Sequence, residues 1–398
     1  MAFNPVGFSA VRLQRLTYLL QGYIERGELP CASLVISHRG EMVYREKFGW
    51  LDIEARKPLD FDTIFRIMSM TKPVTALAAM LLYEEGAFDL NTPIHRYLPA
   101  YKNIRVIRHR QDNTLEIKPA HVNLTFRHLF THTSGIGYGS DPSDPADAEI
   151  HSLLKPVFEG NKAYSVTEFA ECLSEVPLAF EPGEGFRYGL NLDILAALIE
   201  AISDLSFEDF LSQRIFEPLG MLDTGFNLPE NKLNRLAVLY TREAETGLLK
   251  PRQAVVPMPA PLWGGGGLVS TLGDYSRFTA MLANRGKLDG IRLVSPTTVA
   301  MFSQNWASQK ALDDFVKTSP EINGGYGYSL GTAVLMDPSP TGKFGNLGEF
   351  YWGGAYSTYF WVDPKESLHG VFLSQFDQNW YYPLPWQIKQ LTYQAMIG

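Results

Sequence analysis

Apolar and polar positions change period along the chain. Over residues 9–27, Val11, Leu13, Leu16, Leu19, Leu20 and Ile24 recur at the spacing of one helix face. Ala32-Ser33-Leu34-Val35-Ile36-Ser37 reads as a strand, turned by His38-Arg39-Gly40-Glu41 into a second, Met42-Val43-Tyr44-Arg45. The run from Val74 to Tyr83 is apolar on every face and rich in Ala, Leu and Met, which predicts a helix buried inside the protein. It closes at Glu84-Glu85-Gly86, where glycine can take the left-handed conformation past a helix end. Further helices are predicted at 126–134, 191–202, 207–215 and 272–284, and a terminal one from about Leu384. Between them, 87–125 reads as irregular chain with one hairpin arm at 104–110, and 140–162 as a polar flap. From Tyr326 the period turns to alternation. It predicts strands over 326–334, 350–354, 358–364 and 369–374.

Strands thus lie at both ends and helices in the middle. The expected class is α+β: an antiparallel sheet with flanking helices, formed from residues 1–66 and 290–398, plus an inserted, mostly helical domain over 67–289. With 398 residues, 45% apolar and 20% charged, the chain is long enough for a sizeable core. A net charge of −8 without a long basic run argues against a nucleic-acid partner. Cys31 and Cys172 are too few and too far apart in sequence for a disulfide framework or a thiolate metal site. Met1-Ala2-Phe3-Asn4-Pro5 lacks the pattern of a signal peptide, and no segment has transmembrane length, so no membrane association and a reducing cytoplasm are expected.

The chemistry concentrates just ahead of the buried helix, at Ser69-Met70-Thr71-Lys72-Pro73. Proline is tolerated in a first helical turn, which puts the helix start at about Ser69 to Lys72. Ser69 and Lys72 then share one face at i and i+3, and the Ser69 N–H is one of the unpaired donors of the N-terminus. A nucleophile, a base and half of an oxyanion hole follow from four residues. A second Ser-x-x-Lys, Ser152 to Lys155, is interrupted by Gly160-Asn161 and starts no long buried helix. His128 and His132 have i, i+4 spacing, but Leu129 stands where a His-Glu-x-x-His zinc helix needs Glu. Trp263 to Ser270 is a glycine loop without the Gly-Lys-Ser/Thr of a phosphate cradle, so it reads as close backbone packing or a pocket wall. Tyr188, in a glycine-flanked turn before a buried helix, could bring a hydroxyl into a cleft.

Taken in order, Ser69-Met70-Thr71-Lys72, Pro182-Gly183 through Tyr188, and Trp352-Gly353-Gly354 resemble the serine β-lactamase and D-Ala-D-Ala peptidase superfamily. Within it they are most similar to the family VIII carboxylesterases related to class C β-lactamases. Leu129-Phe130-Thr131-His132-Thr133-Ser134-Gly135 and the stretch 214–221 support the resemblance, which spans nearly the whole chain. It implies a serine β-lactamase/transpeptidase-like fold and a cofactor-free hydrolase acting on a small ester. Ser69 is implied as the acyl-forming nucleophile, Lys72 and Tyr188 as its activators, and the N–H groups of Ser69 and Ala355 as the oxyanion hole. Trp352, Gly353 and Gly354 would lie along the substrate, with Tyr138, Trp263 and Tyr351 as further pocket walls. Two departures matter. Tyr188-Gly189-Leu190 has Leu where lactamases have Asn, and Trp352-Gly353-Gly354 replaces Lys-Thr-Gly, removing a cation that would pair with a substrate carboxylate. Both favour neutral esters, with acyl transfer, β-lactamase or peptidase activity as alternatives in the same fold.

A rival nucleophile is Ser329, in the elbow-like pattern Gly327-Tyr328-Ser329-Leu330-Gly331 of α/β-hydrolases. An elbow must join a strand to a helix. Here alternation continues through Leu335, which predicts a continuous strand instead.

Overall fold

The alternating segments from the two ends of the chain meet in one eight-stranded antiparallel sheet. Its order is Tyr326–Tyr328, Ala333–Leu335, Phe350–Gly354, Thr358–Asp363, Leu368–Leu373, Cys31–His38, Glu41–Asp52 and Lys57–Pro58. Cys31–His38 is the junction, with Val35 opposite Val371 on one side and Arg45 on the other. All eight of its residues are buried, as a strand covered on both faces must be. The computed structural model of the chain describes residues 7–109, 115–252, 261–319, 322, 324–379 and 381–398. Met1–Pro5 and Arg110, both read above from sequence, lie outside them.

Helices Ala10–Glu25 and Leu384–Tyr393 pack together on one face of the sheet; Leu272–Ala283 lies across the other, on Cys31–His38 and Leu368–Leu373. That last helix falls within the range 67–289, so a region read as an inserted helical domain also contributes to the sheet's cover. The helix after Ser69 runs Thr71–Glu84 and is buried from Thr71 to Leu82. It packs against Asn191–Ser203, the other helix that is apolar nearly all round. Gly86 takes φ +80° just beyond its end. No helix of the described residues is long and apolar enough to cross a membrane.

Several elements differ from the sequence reading, helix Val166–Ser174 among them. Residues 326–334 form a hairpin rather than one strand. Tyr326–Tyr328 pairs antiparallel with Ala333–Leu335, and the turn between them closes with the Ser329 N–H on the Thr332 carbonyl and Gly331 at φ +71°. Alternation continues through a tight turn because both arms bury the same face. The region read as a flap contains a helix, Pro145–Phe158, capped by Asp144, whose side chain accepts from the N–H groups of Ala146 and Asp147. Its apolar stripe, Ile150, Leu154 and Val157, is sparse, and Pro156 inside it masks the signal. Helices Pro296–Phe302 and Gln309–Thr318 are short and begin at the caps Ser295 and Ser308; the second buries one narrow stripe, Ala311 and Phe315 at i and i+4, a signal the sequence reading passed over.

The C-terminal helix is fastened by charge inside the core. Lys389 pairs with Glu349, both fully buried, and the Tyr393 hydroxyl meets the other Glu349 oxygen at 2.8 Å. Burial raises the Glu349 carboxyl above its usual range and Lys389 opposes it. Lys389→Met would strand that carboxylate, and a loss of about 3–5 kcal/mol is expected in urea unfolding. A loss below about 1 kcal/mol would mean that Glu349 does not depend on Lys389.

Two imidazoles, one buried and one half-buried, make stability depend on pH. His369, with Nδ1 2.9 Å from Thr279 Oγ1, is pushed down to about 4 by burial. His128 is also lowered to about 4, by burial and then by Arg127. The unfolded imidazole titrates near 6.5, so between these values only the unfolded chain binds the proton. The stabilisation is complete above about pH 6.5, falls as pH drops toward 4, and declines no further below that; each histidine accounts for up to about 3 kcal/mol. Thermal melts from pH 7 to 4 should show this slope, and His369→Gln should flatten it. An unchanged slope in His369→Gln would remove His369 from the account.

Candidate active site

Ser69 lies one turn earlier than an ordinary helical position. Met68–Met70 forms a 3-10 turn that leads directly into Thr71–Glu84. Met68 takes φ +49°, a conformation that costs a non-glycine residue free energy and is kept only where surrounding structure demands it. Ser69 is half-buried at the head of the helix while Lys72 is wholly buried below it. Lys72 Nζ is 3.1 Å from Ser69 Oγ, 2.8 Å from the Tyr138 hydroxyl and 2.6 Å from the Gly265 carbonyl. The i, i+3 pairing expected from sequence is therefore present, and three oxygens satisfy the buried amine.

Two tyrosines pack around it. Tyr188 does not reach Lys72 through its hydroxyl: its ring face lies 4.6 Å from Nζ. Its hydroxyl accepts from Trp352 Nε1 at 3.1 Å, and its ring meets that of Tyr138 edge-on at 5.5 Å. Tyr138, expected only as a pocket wall, thus touches both, by a hydrogen bond from Lys72 and by its ring against Tyr188. Burial, and then Tyr188, hold its phenol well above the usual range, so its proton stays on.

The segment after helix Phe126–Phe130 supports this packing. His132, at φ +54°, packs its ring 4.6 Å from that of Tyr188. Its Nδ1 accepts from the Gly189 N–H at 3.3 Å and from Asn191 Nδ2 at 2.9 Å, which leaves the remaining proton on Nε2. Burial, and then Lys72, keep the imidazole neutral. Asn191, one place beyond the missing Tyr-x-Asn asparagine, bonds Ser134 and the Ile136 carbonyl as well.

The glycine loop closes the other side. Thr75 Oγ1 donates to the Gly264 carbonyl at 2.7 Å, Lys72 to that of Gly265, and the Leu268 N–H to Thr71 Oγ1 at 3.2 Å. A Cβ on Gly264 would sit 2.4 Å from the Leu192 carbonyl oxygen, so close packing is why glycine is needed. Asp193, a buried carboxylate in the helix Asn191–Ser203, accepts from the Gly265 N–H at 3.1 Å. Sequence reasoning missed Asp193, although a lone charge between Leu192 and Ile194 in an apolar run was a visible signal.

Of the other expected residues, Trp352 faces the site and Ala355 follows strand Phe350–Gly354 in the turn beside it. Gly353 pairs with Tyr359, and Gly354 lies against the Ser69 turn. A Cβ there would be 2.2 Å from the Ile67 carbonyl oxygen, so Gly354 serves backbone packing rather than the approach of a substrate. Tyr351 is not a wall: strand side chains alternate, and it points to the far face, against Trp386 and Tyr326. Trp263 is buried in the core, stacked on Phe158 at 5.9 Å and edge-on to Phe169 at 5.1 Å. Ser329 is fully buried with Oγ on the Met301 carbonyl at 3.0 Å, in a turn that no helix follows directly; this is not a nucleophile elbow.

Comparison with known proteins bears on this geometry. The Beta-lactamase family model matches residues 16–393. An uncharacterized protein of Mycobacterium tuberculosis is 31% identical over 357 residues, which cover 88% of this chain and 87% of the other. Esterase EstB of Burkholderia gladioli is 29% identical over 397 residues, covering 94% and 93%. Among solved structures, EstCE1, described as a hydrolase with promiscuous acyltransferase activity, superposes with a TM-score of 0.79 at 25% identity, covering 96% of this chain and 98% of that one.

The Tyr138 contact is directly testable. Removing a hydrogen bond to a charged or reacting amine costs roughly 1.5–3 kcal/mol, so Tyr138→Phe should slow the labelling of Ser69 by an organophosphonate ester by about 10- to 100-fold. Labelling at the wild-type rate would return Tyr138 to the role of a wall.

Proposed function

The chain belongs to the Beta-lactamase family, and on that premise we propose that it is a serine hydrolase cleaving short-chain, uncharged carboxylic esters through an acyl-enzyme on Ser69. The observation that carries this is the 3.1 Å contact between Ser69 Oγ and the buried amine of Lys72 at the head of a helix. Ser69 Oγ attacks the ester carbonyl and its proton passes to neutral Lys72. The carbonyl oxygen, now negative, is received by the N–H groups of Ser69 and Ala355. As the tetrahedral intermediate collapses, the proton moves through the Tyr138–Tyr188 pair to the departing alkoxide, which leaves as the alcohol. Water then attacks the acyl-enzyme by the same route reversed, releasing the acid and restoring Ser69.

Substrate class rests on Trp352. An indole N–H engaged by Tyr188 stands where a lysine would offer a cation to a carboxylate, so an uncharged acyl or alkoxy group suits this wall. Similarity to Esterase EstB supports the same reading. An alcohol taking the place of water would give acyl transfer, the second activity in EstCE1's description, from the same intermediate.

The test is kinetic and chemical together. Nitrophenyl acetate or butyrate should show a larger kcat/KM than a cephalosporin. Ser69→Ala should abolish ester turnover and phosphonate labelling with a melt close to wild type, while Ser329→Ala keeps most activity. A cephalosporin turned over faster than the esters would sink the substrate class. A label recovered on Ser329 would sink the mechanism.

A further inference from the structure

Behind Lys72 lies a carboxylate with no task in the steps above. Asp193 is buried, its Oδ1 bound by the Gly265 N–H, and its Oδ2 has no hydrogen-bond partner among the described residues. A buried, half-satisfied carboxylate is expensive unless a positive charge compensates it. The space beside Oδ2 is the one left by the missing side chain of Gly265. A Cβ there would sit 2.8 Å from Asp193 Oδ2 and 3.4 Å from Lys72 Nζ, so the two charged atoms are at most about 6 Å apart. The Gly265 peptide lies between them, its N–H on the carboxylate and its carbonyl on the amine.

We propose that Asp193 is the counter-charge of Lys72, a positioning residue that acts across Gly265 and sets how readily the amine sheds its proton to become the base. This rests on the reading of Lys72 as the base for Ser69. The groups facing Lys72 come from three other elements. Tyr138 and His132 come from the segment after Phe126–Phe130, Tyr188 from the turn before Asn191–Ser203, and Asp193 from that helix. His132 is held neutral and Tyr138 keeps its proton, which leaves Asp193 as the carboxylate of the set. Burial raises the Asp193 carboxyl above its usual range, while Lys72 and the Gly265 N–H pull it back. An anion at this distance favours a positive charge on the amine.

The experiment is the pH profile of kcat/KM on a nitrophenyl ester. Asp193→Asn keeps an acceptor for the Gly265 N–H and removes the charge. Its acid limb should move to lower pH by about one to two units. Asp193→Glu should hold the limb near wild type. If Asp193→Asn does not fold, Gly265→Ala carries the same test, because its methyl forces the carboxylate away and should move the limb the same way. A limb at the wild-type pH in the folded variant overturns this inference and leaves the base reading intact. A wild-type profile with no acid limb, or a Lys72→Arg variant with full activity, would overturn both.

Discussion

The structure depends on a lysine amine buried where water cannot reach it. An unpaired ammonium in such a place would cost several kcal/mol. Lys72 is accepted because oxygens from three separate parts of the chain converge on it: Ser69 from the preceding turn, Tyr138 from the segment after Phe126–Phe130, and Gly265 from the glycine loop. Each of these must arrive within hydrogen-bond reach, so the amine acts as a three-way gauge of the fold around it.

The glycines follow from that demand. Gly264 and Gly265 lie where a Cβ would strike Leu192 or Asp193, and Gly354 where it would strike Ile67. The loop, the helix Asn191–Ser203 and the strand Phe350–Gly354 can therefore press backbone to backbone around the Ser69 turn. Thr358 Oγ1 on the Ile67 carbonyl at 3.1 Å and the Ile67 N–H on the Leu268 carbonyl at 3.1 Å fasten that turn to sheet and loop together. Met68 stays in its left-handed conformation because both sides are held.

Two hydrogen bonds, Trp352 to Tyr188 and Lys72 to Tyr138, joined by the packed rings of the tyrosines, give the site a direction. Indole can only donate, so it occupies a Tyr188 lone pair and leaves that hydroxyl's own proton free to be donated. A lysine in place of Trp352 would add a charge to the cleft; the tryptophan adds an ordered donor and an apolar wall. His132 and Asn191 hold the tyrosine turn from behind without adding charge, since burial keeps the imidazole neutral.

The sequence by itself determined the elements whose signal is local. The apolar run after Pro73, the alternation near both ends and the i, i+3 placement of Ser69 and Lys72 each follow from the geometry of one segment, and each is present. The same local pattern could not separate a strand from a hairpin at 326–334, because alternation survives a tight turn. It could not see a helix through Pro156. Partners across the chain were decided only by the tertiary structure. Tyr138 reaches Lys72 over 66 positions and Gly265 over 193, while Tyr351, beside Trp352, points to the opposite face of the sheet. Asp193 was legible as a charge out of place in an apolar helix. Its neighbour was not, because which charge lies across a buried gap depends on how distant segments pack and not on the spacing within either one.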